Sequence, residues 1–195
     1  MIPRHLQIAA LVLLAVVFAM GLYVVQARRH AEQTETRASD QRPVPPPVAG
    51  ASERVTLFVA YDEDGVLKRQ PTSIALPPER AERARQVLRA LLARYTETPS
   101  PHPIGAGGDI ESVYLVSGNL AVVDFNAAFA AQHPSGVLAE SLTLASLIQT
   151  LSANVGGITR VKFLVDGRER DTLAGHAGLR QLYDTTAVSQ SVPIE

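Results

Sequence analysis

IESVYLVSGNLAVVDF, residues 110–125, predicts two β-strands joined by a tight turn. Apolar and β-branched side chains dominate Ile110–Val116 and Leu120–Phe125, as is usual for strands. Gly118-Asn119 separates them, and these residue types accept the positive φ that a two-residue hairpin turn requires. Further strand and helix signals follow on both sides of this hairpin.

An earlier segment predicts a second hairpin. Residues 55–60 are mostly apolar at both alternating sets of positions, which predicts a strand with both faces largely apolar. Asp64-Gly65 predicts a tight turn, and Val66–Ile74 predicts the returning strand. Because Pro71 has no N–H to donate, we expect that strand to lie at an edge or to break there.

Two longer segments predict helices. Pro77-Pro78-Glu79 favours the start of the first, because proline fits the first helical turn and an acid stabilises the positive end of the helix dipole. Apolar residues then recur at helical spacing, namely Ala84, Val87, Leu88, Leu91 and Tyr95. The second predicted helix is Gly136–Asn154, with Ser135 as the expected N-cap.

A third hairpin is predicted near the end of the chain, where Val161–Val165 and Arg168–Leu173 flank Asp166-Gly167. The element order is therefore two strands, a helix, two strands, a helix and two strands. This order predicts an α+β fold, with a mixed sheet of about five to six strands and two helices on one face.

The N-terminal segment predicts a membrane anchor. Leu6–Val25 is apolar apart from Gln7, and as a helix it would be roughly 30 Å long, the thickness of a bilayer's hydrocarbon core. We predict a head at residues 1–5 and a transmembrane signal anchor at residues 6–27, with the lipid bilayer as partner of Leu6–Val25. A cleaved signal peptide is the alternative, since Val25-Gln26-Ala27 resembles a cleavage site.

Residues 28–52 predict a disordered tether, and residues 53–195 predict the folded domain, with its core at 53–184. The tether is polar and contains Pro43, Pro45, Pro46 and Pro47, which favour an extended, semi-rigid spacer. The side of the membrane stays open, because arginines after the anchor outnumber Arg4 before it and arginine tends to remain cytoplasmic.

The composition excludes several classes of function. From Glu53 onward there are 13 lysines and arginines against 16 aspartates and glutamates, a formal charge of −3. That balance offers no electrostatic footprint for nucleic acid. The chain has no cysteine, which excludes disulfides, thiolate metal sites and thiol nucleophiles.

Candidate chemical motifs are weak. Asp62, Asp64 and Gly65 resemble the start of a calcium loop without its later ligands, and Gly105, Gly107 and Gly108 lack the lysine of a phosphate loop. Asp124 could be a base or a solvent-facing or turn-capping acid. The histidines at 5, 30, 102, 133 and 176 show no metal-ligand spacing. We therefore predict no catalytic, metal-binding or cofactor-binding residues and no cofactor.

The second predicted helix is unusual because residues 141–152 carry no charge. Depletion of charge is typical of protein interface cores, so its polar residues are a possible interaction face. These residues are Ser141, Ser146, Gln149 and Thr150. The alternative is that the segment after Leu173 covers this side of the helix.

Several segments in order resemble the GerMN domain family of sporulation and spore-germination proteins, here in a single-copy, membrane-anchored form. The match runs from about residue 53 to 184 without large gaps. The resembling segments are Arg54–Val59, Asp62–Gly65, Val87–Leu92, Gly118–Asn126, Glu140–Leu151, Val161–Gly167 and Thr172–His176.

The resemblance implies a non-enzymatic bacterial module held in the cytoplasmic membrane by a single pass, with its soluble domain outside the cytoplasm. Its implied partners are envelope proteins or other copies of itself, in a role that includes sporulation or germination in the family. No catalytic residue is implied. An accessory that binds or hydrolyses peptidoglycan is the alternative, and a cytoplasm-facing domain is a third.

Overall fold

The computed structural model describes residues 52–117 and 119–195, and these form an α+β domain, as predicted. Its strands are β1 (Ser52–Tyr61), β2 (Val66–Ala75), β3 (Ile110–Val116), β4 (Leu120–Phe125), β5 (Arg160–Val165) and β6 (Tyr183–Asp184). Its helices are α1 (Arg80–Thr96), α2 (Ala127–Gln132), α3 (Val137–Asn154) and α4 (Thr185–Ser191). Helix α1 begins where predicted, with the Glu79 side chain accepting the N–H groups of Ala81 and Glu82.

The strands form two sheets rather than the single mixed sheet that the sequence predicted. β1 and β2 make an antiparallel pair, and the second sheet has the order β3-β4-β5-β6, in which β4 and β5 are parallel. Helix α1 packs on β3 and β1, while α3 packs on β1 and α1.

The free edge of β1 explains why the sheets are separate. The amides of Thr56, Phe58 and Ala60 point away from β2, where another strand would normally accept them. Helix side chains accept them instead. The acceptors are Asn154 Oδ1 at 3.0 Å, Thr150 Oγ1 at 2.9 Å and the Tyr95 hydroxyl at 3.0 Å, respectively. Because these backbone groups are already satisfied, β1 cannot pair with a strand of the second sheet.

The far edge of β2 is closed by the C-terminal residues. The amide of Leu67 donates to Pro193 at 2.9 Å, that of Arg69 donates to Glu195 at 2.9 Å, and Glu195 N–H returns a bond to Leu67 O at 2.8 Å. Every second residue of β2 directs its backbone N–H away from β1, and Pro71 follows Leu67 and Arg69 in this series. The missing N–H of Pro71 therefore removes no bond to β1. The prediction of an edge position is confirmed.

Two local predictions are wrong. The turn at Asp166-Gly167 forms with positive φ of 49° and 69°, but pairing beyond it stops at a single bridge, so Arg168–Leu173 is not a strand. Helix α3 begins after Gly136 without a side-chain cap from Ser135. The Gly136 amide instead donates to Glu140 Oε1 at 3.2 Å, and this carboxylate is fixed by other bonds described below.

The N-terminal predictions fall outside this domain. The predicted head, anchor and most of the tether lie in residues 1–51, outside the described residues, and Gly118 of the predicted turn does too. Ser52, assigned to the tether, is the first residue of β1. Within residues 52–117 and 119–195, no helix is both long and apolar enough to cross a bilayer.

The bond to Phe58 predicts a difference between two substitutions at Thr150. Thr150→Val removes the acceptor and leaves a buried amide unpaired, which we expect to lower the free energy of unfolding by roughly 1–3 kcal/mol. Thr150→Ser keeps the oxygen and loses one methyl group, so it should cost about 1 kcal/mol or less. Urea unfolding of both variants checks this. Equal losses of unfolding free energy in the two variants would show that the Thr150 hydroxyl is not needed as the acceptor for the Phe58 amide.

Candidate functional site

Three of the four residues of the possible interaction face on α3 lie inside the domain. Ser146 and Thr150 are fully buried, and Gln149 is 7% exposed. Ser141 remains exposed. The hydroxyl of Thr150 accepts a backbone N–H of β1, and Ser146 Oγ donates to the Thr143 carbonyl at 2.8 Å. Charge is absent from residues 141–152 because most of the circumference of this part of the helix is interior.

The C-terminal segment covers part of α3, as the alternative reading of the sequence proposed. Gln149 Nε2 donates to the carbonyl of Thr185 at 3.0 Å, at the start of α4. A cleft of about 210 Å³ remains between α3 and this segment, with Ser141 and Ile148 on one side and Tyr183 and Val188 on the other.

A buried polar network is the densest group of titratable side chains near α3. His102 lies in the loop after α1, and its Nδ1 is 2.5 Å from Asp62 Oδ1 in the β1–β2 turn. Its Nε2 is 2.6 Å from Thr143 Oγ1 on α3. The same hydroxyl is 2.7 Å from Nε2 of His133, which lies between α2 and α3. The network therefore joins three connecting segments to one helix.

The order carboxylate, imidazole and hydroxyl is also that of an acyl-transfer triad. A nucleophile must reach its substrate, however, and Thr143 is fully buried while His102 is 1% exposed. The Thr143 hydroxyl is also occupied by a second imidazole. In this conformation the geometry supports a tertiary cross-link and offers no path for a substrate to the hydroxyl.

The other sequence candidates have structural partners. Asp124 is 5% exposed, and its Oδ1 accepts the Gly167 amide at 2.9 Å, so it caps the turn after β5. Asp64 pairs with Lys68 at 2.8 Å. A Cβ at Gly105 would lie 2.2 Å from the Gln132 carbonyl, so close packing on α2 requires that glycine. In the part of the chain that the structure describes, no three His, Cys, Asp or Glu side chains converge as metal ligands.

Glu140 fixes the loop that follows β5 to the start of α3. This fully buried carboxylate accepts the backbone N–H groups of Ala174, His176 and Ala177 at 3.0, 3.0 and 2.8 Å. Burial alone would raise its pKa, but these bonds and the His176 imidazole at 3.0 Å outweigh burial and lower the pKa from 4.5 to about 2. The loop is thus held by a carboxylate that stays ionised.

An open apolar surface lies on the second sheet. Side chains alternate between the two faces of a strand, so Val113, Val123 and Phe163 fill the core while their neighbours point outward. Tyr114 and Val116 on the outer side are 54% and 46% exposed. Opposite them on β4 lie Val122 and Leu120, both half-buried. We call Tyr114, Val116, Leu120 and Val122 the open sheet face.

The open sheet face is limited on one side and free on the other. On β5, Lys162 is covered by its ion pair with Glu169 at 2.9 Å and by a bond to the Arg180 carbonyl. On the opposite side, β3 ends the sheet order and has a strand neighbour on one side only within the described residues. The uncovered half therefore comprises the outer side of β3 and β4.

The sequence analysis predicted neither the buried polar network nor the open sheet face. The members of the network are 40, 41 and 10 positions apart along the chain, so no local spacing indicates that they meet. The open sheet face had a usable signal, because Tyr114, Val116 and Val122 occupy alternate positions in the hairpin that was correctly predicted. The alternation does not indicate which of the two faces the helices cover.

Comparison with known proteins identifies the class of this α+β domain. Residues 56–171 match the family Germane, described as sporulation and spore germination. That match spans more than half of the chain, so the chain belongs to the Germane family. Comparison with curated protein sequences gives no significant match.

Solved structures are similar in fold. The tandem GerMN domains of the sporulation protein GerM from Bacillus subtilis give a TM-score of 0.51 at 17% identity, covering 67% of this chain and 45% of that one. The first GerMN domain of GerM gives 0.48 at 16% identity, covering 66% and 94%. A putative lipoprotein from Clostridium perfringens gives 0.43 at 14% identity, covering 73% and 93%. At these identities the likeness concerns the fold alone.

The lowered pKa of Glu140 predicts a pH-dependent loss in Glu140→Gln. The carboxylate stabilises the fold fully above pH 4.5, and this contribution disappears as the pH falls towards about 2. We therefore expect Glu140→Gln to lose on the order of 3 kcal/mol at pH 7 and much less near pH 2.5.

Urea unfolding from pH 7 to pH 2.5 measures this difference, with Glu111→Gln as a control because Glu111 is exposed. A Glu140→Gln deficit that stays constant over this range would contradict the assigned role of the carboxylate.

Proposed function

We propose that this protein is a membrane-anchored binding module that contacts another protein of the bacterial envelope through the open sheet face. In this proposal residues 6–27 hold the chain in the cytoplasmic membrane, residues 28–51 act as a spacer, and the domain faces the outside of the cytoplasm. The role is non-enzymatic, and a contribution to sporulation or germination is the context that the family description supplies.

The observation that carries the proposal is the apolar, uncharged surface formed by Tyr114, Val116, Leu120 and Val122 at the end of a sheet. Tyr114 and Val116 on this surface are 54% and 46% exposed. Exposed apolar groups that are adjacent on one surface are typical of protein-binding sites. The four side chains themselves carry no charge, so they favour an apolar protein surface as partner, and the exposed Arg160 of β5 lies at their border beside Leu120.

The edge of β3 adds a second reason to expect a protein partner. Exposed strand edges pair readily with other chains, so folded proteins normally protect them. In the described domain, β1 is protected by helix side chains, β2 by the C-terminal residues, and β6 has only two residues. β3 has seven residues and no proline or lysine. Its Glu111 carbonyl already accepts Arg85 Nη1 of α1 at 3.0 Å, so a partner strand would add to the part of β3 beyond Glu111. A partner strand that adds to β3 would also cover Tyr114.

The buried network supports the non-enzymatic part of the proposal. Its hydroxyl and imidazoles bond to one another and lie out of contact with solvent. A catalytic role would require the loop at residues 97–108 to leave α3, which would break the bonds that hold it.

We expect Tyr114→Asp to lose the partner, because a charge on this surface cannot be buried against apolar side chains without a large cost. Leu138→Asp is the matched control, since Leu138 on α3 is 53% exposed and Tyr114 is 54% exposed. The full chain is cross-linked in native membranes and purified. A specific protein should be recovered with the unchanged chain and Leu138→Asp, and at least tenfold less with Tyr114→Asp.

Three outcomes contradict the proposal. Equal recovery with both variants would exclude the open sheet face as the contact surface. Protection of the domain from protease added to spheroplasts would place it in the cytoplasm. Pelleting of the purified chain with cell wall, unaffected by Tyr114→Asp, would favour the peptidoglycan accessory instead.

A further inference from the structure

The Thr143 hydroxyl is surrounded by more acceptors than it has hydrogens. Its oxygen lies 2.6 Å from His102 Nε2, 2.7 Å from His133 Nε2 and 3.0 Å from the Ala139 carbonyl. A hydroxyl donates one hydrogen bond. The Ala139 carbonyl also accepts a helical N–H, so it does not require the hydroxyl. The two imidazole contacts are too short to lack a hydrogen, and one hydroxyl cannot supply both.

The opposite ring nitrogens fix the tautomers. His102 Nδ1 faces a carboxylate oxygen of Asp62 at 2.5 Å, and His133 Nδ1 faces the Pro134 carbonyl at 2.8 Å. Both neighbours are acceptors, so each Nδ1 must carry a hydrogen. A neutral imidazole carries only one N–H hydrogen, so both Nε2 atoms are acceptors that face the Thr143 hydroxyl. The arrangement is therefore one proton short when both rings are neutral.

We infer that the folded domain holds an additional proton in this network, on His102, as an imidazolium paired with Asp62. His102 Nε2–H then donates to the Thr143 hydroxyl, and the hydroxyl donates to the neutral His133 Nε2. Every short contact in the network contains one hydrogen in this arrangement. With one proton fewer, two lone pairs would meet at Thr143.

The surroundings favour His102 over His133 as the charged ring. His102 contacts a carboxylate at one nitrogen, which favours its charged form. The Tyr95 ring lies next to it in a T-shaped arrangement, with 4.7 Å between the ring centroids. Burial lowers the pKa of His133, and the neighbouring His102 lowers it further, although the Pro134 carbonyl opposes this. Glu140, one helical turn from Thr143, is engaged by the loop at 174–177 and by His176.

The additional proton makes the cross-link sensitive to pH. With the proton in place, His102 joins the loop at residues 97–108 to α3 and to the β1–β2 turn. Loss of that proton makes the contact at Thr143 repulsive, while the Asp62 amide still donates to the Pro101 carbonyl at 3.1 Å. The attachment of this loop to α3 therefore weakens when the proton is lost.

Two-bond proton–nitrogen correlation spectra of the full chain in detergent micelles, with ¹⁵N-labelled histidine, test this directly. His102→Gln and His133→Gln assign the signals. At pH 7 we expect His102 to show the two equivalent shifts of an imidazolium and His133 to be neutral with its proton on Nδ1. A neutral His102 at pH 7, or a charged His133, would overturn the inference.

A second variant keeps the test valid if a histidine substitution unfolds the chain. Asp62→Asn removes the carboxylate from a residue whose side chain is 38% exposed. Without the carboxylate, we expect the His102 ring to show the spectrum of a neutral imidazole at pH 7. The signals of His176, beside Glu140, are the internal control and should not change. A His102 ring that still shows an imidazolium spectrum in Asp62→Asn would contradict the ion pair.

Discussion

The structure depends on how one edge of β1 is satisfied. Three amides there bond to side chains of α1 and α3, where a neighbouring strand would otherwise lie. Since buried backbone groups need partners, these side chains must be polar, and since they are interior, they cannot be charged at low cost. This accounts for Thr150 and Asn154 on a helix that is otherwise largely apolar. It also accounts for two sheets in a chain that has enough strands for one.

The same constraint indicates where the domain is available to a partner. Helix α3 uses its polar groups internally: Glu140 holds the loop after β5, Thr143 holds the loop after α1, and Gln149 holds the start of α4. The side of α3 that carries these groups is therefore a poor contact surface. The outer side of β3 and β4 has no such internal bonds, which is why we propose it as the contact surface.

Local patterns predicted local structure well. The hairpin turn at Asp64-Gly65, the start of α1 after Pro78 and the strands β3 and β4 follow from residue types within a few positions of one another. The division into two sheets did not, because Phe58 and Thr150 are 92 positions apart. Charge depletion on α3 is typical of an interface, yet interior helices show the same depletion. Distinguishing the two requires knowing what the C-terminal segment covers.

Native-state hydrogen exchange at the amides of Thr56, Phe58 and Ala60 tests the central claim most directly. If helix side chains replace a strand, these amides should exchange only through global unfolding. Their exchange free energies should then match that of Leu57, whose N–H points to β2 by the alternation of the strand. Exchange of Phe58 or Ala60 by local opening, orders of magnitude faster than Leu57, would show that this edge is open and that the account is wrong.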